Sequence, residues 1–391
     1  SPLATLDNFL NTIQMSTIPV ILEQLKEQKN FVSNLFILKI FIKFYIREDE
    51  NSRNIDFFTQ VFHEIIPIFI EIINSSEVNE LTASSLRIFS QILNNSIKSD
   101  IFKIIEFFNL QDIINIITNY SNFYNSDFEF KNSLNHHLLK LSINFCLLYS
   151  NDQSFTSSIF PLLFESTMNL LVEMDENSWD YFTRYYCLKI IIDFLYYSKF
   201  FVEEINSPDF LTRILIPSAK LTSEDLDSLT TIPDLIQSYF LMNKEESKDR
   251  ELVYSYSVRE ICSSFANELL QTPELHSIVL EPIDDPIEFE SRVFLLSCLD
   301  SSLIPSEYIQ FILELATSNY ESNPSFLEAS FIYFLCHHIK LISDCSTLSQ
   351  FGVFCINNSD DPMIIIASAD LLRKDKLRFK SVENDEEKNN I

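Results

Sequence analysis

The stretch Phe31–Ile46 reads FVSNLFILKIFIKFYI and is followed by the polar break Glu48-Asp49-Glu50-Asn51-Ser52. Leu35, Leu38, Ile42 and Ile46 stand at i, i+3, i+7 and i+11, the spacing of an apolar stripe along one helix face. Lys39 and Lys43 interrupt the run, so it reads as an amphipathic helix packed on a core and not as a membrane span. A second helical pattern follows near 57–73, and this pair of helices is the unit from which the rest of the chain is read.

The stripe recurs at Leu81, Leu86, Phe89, Ile92 and Leu93, at Leu134, Leu138, Leu141, Phe145 and Leu148, and at Leu188, Ile191, Ile192, Leu195 and Tyr196. Each has a partner: 81–96 goes with 101–119, 132–149 with 155–174, and 179–198 with 209–218. The first helices return about every 50 residues, slightly longer than the HEAT/armadillo period. Asn74-Ser75-Ser76, Asn94-Asn95-Ser96 and Asn151-Asp152-Gln153-Ser154 supply turns and helix caps between them. Pro67, Pro161 and Pro305 are each read as lying near the start of a second helix, where the missing N–H costs nothing. Further helices are predicted at 229–242, 254–270, 288–300, 305–318, 325–343, 346–357 and 362–373. The predicted fold is all-α, an α-α superhelix of HEAT/armadillo-like helix pairs over residues 1–374. Residues 219–250 read as an acidic connecting segment and 375–391 as a charged, disordered tail.

Composition supports this choice. The 391-residue chain contains one glycine, Gly352. Tight hairpins, phosphate-binding loops and nucleophile elbows all need glycine, whereas helices joined by Asn, Ser, Asp and Pro do not. The net charge is −28. Such a surface repels nucleic acid and anionic bilayers and favours basic protein partners. The seven cysteines form no C-x-x-C motif and read as reduced, buried side chains of an intracellular protein. The N-terminus Ser1-Pro2-Leu3 has no signal-peptide pattern, and the missing initiator Met reads as a fragment or trimmed chain.

Candidate chemistry is sparse. His136-His137 and His337-His338 are adjacent pairs, and adjacent helical residues diverge too far to share a metal. His63-Glu64 begins like a zinc-protease motif, but Pro67 stands where the second histidine is needed. Glu224, Asp225 and Asp227 read more naturally as acids complementing a helix dipole than as catalytic carboxylates. The reading is therefore a non-enzyme with no cofactor and no metal. Its candidate protein-binding residues are the acids Glu224, Asp225, Asp227, Asp234, Glu245 and Glu246.

One segment is more specific. It runs Asp209-Phe-Leu-Thr-Arg-Ile-Leu-Ile-Pro217, then Leu221-Thr-Ser-Glu-Asp-Leu-Asp227, then Ile232-Pro-Asp-Leu-Ile-Gln-Ser-Tyr239, then Tyr256-Ser-Val-Arg-Glu-Ile-Cys262. This order resembles the importin-β superfamily of nuclear transport receptors. There a helix ending in "ILIP" precedes an acidic "T-x-x-D" stretch, a "P-x-x-x-I/Y" segment and a helix opening "S-x-R-x-x-(A/C)". Glu288–Leu299 and Asn358–Leu372 are similar to later helices of that family. Within it, the exportins that recycle importin-α are nearest in look, followed by importins for basic cargo. The resemblance implies Ran-controlled binding of importin-α or basic cargo and shuttling between nucleus and cytoplasm. It also implies that this piece lacks the N-terminal Ran-binding repeats. The competing reading is a generic HEAT/armadillo scaffold in a cytosolic or chromosomal complex.

Overall fold

The structure, a computed structural model, describes residues 16–27, 30–46, 55–74, 85, 87–89, 139–140, 142–143, 153–173, 181–197, 202–231, 258–281, 283–318, 320, 322–342 and 345–389. Every regular element among them is helical, so the fold is all-α. The chain divides into two compact units, Ser1–Ser198 and Lys199–Ile391.

In the first unit, α1 (Ile18–Lys26), α2 (Phe31–Ile46) and α3 (Ile55–Asn74) pack together, and α4 (Gln153–Glu173) packs on α5 (Tyr181–Tyr197). Ile18, Ile21, Leu22 and Leu25 of α1 are buried, as are Phe31, Leu35 and Leu38 of α2. The α1–α2 turn contains Asn30 at φ 46°, a left-handed conformation that asparagine tolerates better than most non-glycine residues. Polar clasps fix the packing angles: Asn34 donates to Gln24 at 3.0 Å and Lys26 pairs with Glu64 at 2.8 Å. Aromatic rings fill the remaining volume. Phe69 stacks on Phe89 with centroids 4.9 Å apart, and Phe160 lies 4.6 Å from Phe194.

The prolines behave differently from expectation. Pro67 and Pro161 lie inside α3 and α4, not in their first turns. Both are exposed, as are His63 and Ser157, whose carbonyls lose the proline N–H as a partner. Water can take over these carbonyls, which is why a helix tolerates a proline on its outer face. Pro305 directly precedes α12 (Ser306–Ser318), as the spacing suggested.

The second unit begins with the single turn α6 (Val202–Ile205) and the helix α7 (208–219). The first turn of α7 is capped by Ser207, whose hydroxyl accepts from Phe210 N at 3.2 Å. A π-helical turn over Leu211–Leu215 widens α7 just before Pro217, and Ile216 N reaches back to the Leu211 carbonyl. Then come α8 (Ser223–Thr231), α9 (Val258–Leu269), α10 (Pro273–Leu280), α11 (Pro286–Ser297), α12, α13 (Ser325–His337), α14 (Cys345–Asn358) and α15 (Pro362–Asn389). Helix α15 packs on both α13 and α14, and α13 packs on α11. The lone glycine sits at one of these crossings. A Cβ on Gly352 would come within 3.0 Å of Leu372 Cδ2, so its value is close helix approach and not an unusual φ.

The periodicity placed most of these elements correctly. Helix α8 starts six residues earlier than the predicted 229–242, and the rest of that stretch lies outside the described residues. The predicted helix at 101–119 also lies outside them. Helices α1, α6 and α10 were not anticipated. Helix α15 continues through Asn389 and so includes most of the segment read as a charged tail.

Candidate functional site

Of the six candidate acids, Asp234, Glu245 and Glu246 lie outside the described residues, and only the backbone of Glu224 is described. Asp225 and Asp227 both lie on α8, and their settings differ.

Asp225 is half-buried and belongs to a capping box. Thr222 Oγ1 accepts from Asp225 N at 3.1 Å. In return Asp225 Oδ2 accepts from Thr222 N at 2.9 Å and from Thr222 Oγ1 at 2.8 Å. This reciprocity satisfies orphan donors of the first turn and explains why the helix begins at Ser223. Asp227, one turn in, is exposed.

The ground beneath this acidic turn is held by charge. Arg259 of α9 is buried and faces Glu290 of α11, also buried. The pair is bidentate, Nη2 to Oε1 at 2.8 Å and Nη1 to Oε2 at 3.0 Å. Arg259 Nη1 also donates to the carbonyl of Ala219 at 2.6 Å, capping the end of α7. Ser330 of α13 donates to Glu290 Oε1 at 3.3 Å. The guanidinium carbon lies 3.8 Å from the centroid of Phe294, a cation–π contact in a dry setting. Burial works against the charge on Arg259, but the Glu290 carboxylate outweighs it and the guanidinium is held above its ordinary value. Four helices, α7, α9, α11 and α13, are thereby tied at one point.

A second, half-exposed layer lies beside it. Lys220 Nζ, just past α7, is 3.3 Å from Glu288 and 4.0 Å from Asp285. Glu288 also accepts from Arg292 Nη2 at 3.0 Å. Arg292 Nη1 in turn donates to the carbonyls of Ile278 and Glu281, closing the end of α10.

In the sequence, Arg259 stands inside the stretch Tyr256–Cys262 and Glu290 inside Glu288–Leu299, and neither carries a predicted role. A buried Arg opposite a buried Glu was legible in one way: both interrupt otherwise apolar helix faces. Their 31-residue separation gave no local signal that they meet.

Of the adjacent histidines His337 and His338, the second ties two helices together. His338 is fully buried, with Nδ1 3.1 Å from Ser301 Oγ and Nε2 3.2 Å from the Leu296 carbonyl. Burial pushes it down to about 4, so it is neutral near pH 7. Its role is to join the end of α13 to the end of α11. Among the described residues, no group of three or more His, Cys, Asp or Glu side chains is placed to hold a metal, and no helix is long and apolar enough to cross a membrane.

What the arrangement offers chemically is presentation: an ordered acidic turn on a framework pinned by a buried ion pair. No family model matches the chain, and no curated protein shows significant similarity to it.

Proposed function

We propose that the chain is part of a nuclear transport receptor of the importin-β type. On this reading the helix pairs build a HEAT/armadillo superhelix that binds proteins without catalysis. Its partners are importin-α or basic cargo, a Ran-type GTPase controls release, and the receptor shuttles between nucleus and cytoplasm.

The observation that carries the reading is the junction at Arg259. The segment resembling the family consists of separate motifs, and Arg259 lies in the last of them. Its side chain bonds the Ala219 carbonyl, just after the "ILIP" motif, and Glu290, in the next family-like helix. The "T-x-x-D" motif lies beside it as the Thr222–Asp225 capping box. The described parts of three of these motifs thus pack together, which supports reading them as one structural unit in the order seen in the family. The acidic turn and the net charge of −28 suit a basic partner through charge complementarity.

The test is a pull-down of the full-length protein from its own cell extract, with and without a GTP-locked Ran. Importin-α whose recovery rises with Ran-GTP supports a recycling exportin. Basic cargo lost with Ran-GTP supports an import receptor. No Ran dependence overturns the transport reading and leaves a scaffold. Glu224→Lys with Asp227→Lys is expected to weaken capture of the basic partner by about threefold to tenfold, with a reduced salt dependence.

A further inference from the structure

A carboxyl group shut away from water keeps its charge only if a cation or several donors satisfy it; otherwise it keeps its proton. Glu328, in the first turn of α13, is 0% exposed. Its Oε2 accepts from Asn323 Nδ2 at 2.8 Å, while Oε1 is buried with no hydrogen-bond partner among the described residues. Glu290 is equally buried but carries the bidentate bond to Arg259, so the two buried glutamates of this unit are held in opposite ways.

The groups around Glu328 come from separate segments. Asn323 and Tyr320 precede α13, and the Tyr320 ring meets Phe354 of α14 edge-on with centroids 5.3 Å apart. Cys355, next along α14, is fully buried and is bonded to Ser368 of α15. Tyr320 and Cys355 are the titratable groups that the Glu328 carboxylate acts on. Charged groups on the other elements packed against α13 are engaged elsewhere. On α11, Glu290 holds Arg259 and Glu288 holds Arg292. On α12, Glu314 accepts from Gln310 and Tyr308 feels Arg292. On α15, Asp370 pairs with Arg373, Asp375 accepts from Ser349, and Lys374 acts on Cys336 near the far end of α13. Burial therefore dominates and pushes the Glu328 carboxyl up to about 7, with the Asn323 bond opposing.

We propose that Glu328 is a pH-operated latch: with its proton on, Tyr320 and the Cys355 edge of α14 close over it, and loss of that proton lifts this cover while the rest of the unit stays folded. In the open form the carboxylate meets water and returns to its ordinary value of 4.5. The open population then rises about tenfold per pH unit between those two values and levels off above about 7. Opening is local: it uncovers Cys355, whereas Cys336, buried near the other end of α13, stays covered. The latch does not depend on the transport reading.

The test is maleimide labelling of the intact, native chain across pH, followed cysteine by cysteine in peptide mass spectrometry. Dividing the rate at Cys355 by its rate in Glu328→Gln at the same pH cancels the pH dependence of the thiol itself. That ratio is expected to rise about tenfold from about pH 5.5 to about 6.5 and to be flat above about 7.5. The same ratio at Cys336 should stay within about twofold. If Glu328→Gln does not fold, the rate at Cys355 relative to Cys336 within one sample replaces it. Asn323→Ala removes the bond that opposes burial, so it should move the plateau to higher pH. A Cys355 ratio that does not change with pH overturns the proposal, as does an unmoved plateau in Asn323→Ala. Equal rises at Cys355 and Cys336 also overturn it, because the carboxylate would then loosen the whole unit and not one edge.

Discussion

The two units solve the same packing problem with different materials. In the first, helices meet ring on ring: Phe160 and Phe164 of α4 both contact Phe194 of α5. Of its buried polar groups, Thr167 and Asp193 bond within their own helices, to the Leu163 carbonyl and to Lys189, and the bonds that do cross between helices, Asn34 to Gln24 and Lys26 to Glu64, are single contacts, part-buried or exposed. In the second, buried charges bond between helices, as Arg259, Glu290 and Ser330 do. Apolar contact is non-directional and tolerates sliding, whereas a bidentate ion pair has one good geometry. The lesson is that helical pairs alike in pattern can differ in how sharply their relative placement is specified.

Arg259→Ala tests this most severely. It leaves Glu290 buried and uncompensated, at an expected cost of about 3–5 kcal/mol in chemical denaturation. The double variant Arg259→Met, Glu290→Leu should be clearly more stable than either single truncation, because no lone charge remains. Phe160→Ala in the first unit should cost a similar amount, about 3–5 kcal/mol. Adding a truncation at Phe194 should recover none of it. Recovery in both units, or in neither, would erase the distinction.

Glu328 of α13 gives a pH-dependent version of the comparison. It is fully buried, and only Oε2 has a defined partner, Asn323 Nδ2 at 2.8 Å. Burial pushes its carboxyl up to about 7 from an ordinary 4.5, against the opposing hydrogen bond from Asn323. A raised carboxyl binds its proton more tightly in the folded state, so its contribution is present at low pH and is lost as pH rises from about 4.5 to about 7. Glu328→Gln keeps an acceptor for Asn323 and removes the charge. It should raise Tm by on the order of 3 °C above pH 7, and by less near pH 5, in thermal melts across pH. A gain independent of pH would refute the assignment.

The smallest effect separates the two acids of α8. Thr222→Ala removes the cap and should cost about 0.5–2 kcal/mol. Asp227→Asn should stay within about 0.5 kcal/mol, because the side chain is exposed. Equal losses in denaturant melts would mean that Asp227 is structural.

Periodicity made the helices legible because the core stripe is written locally, every three or four residues. Helix α2 lies where Phe31–Ile46 indicated, and α12 and α14 fall within one residue of 305–318 and 346–357 at each end. The dipole reading of Asp225 was close to its actual role, since a capping box needs only a Thr three residues earlier. Pro67 and Pro161 were misplaced because a helix tolerates proline on its wet side, and sequence does not announce which side that is.

By itself, then, the sequence determined the helical class, most of the described helices and the acidic balance, since these follow from local spacing and composition. Only the tertiary structure decided that Arg259 meets Glu290, that His338 is a neutral tie and that Gly352 serves a close crossing. Each of these depends on residues brought together across tens of positions, and no local pattern encodes such a meeting.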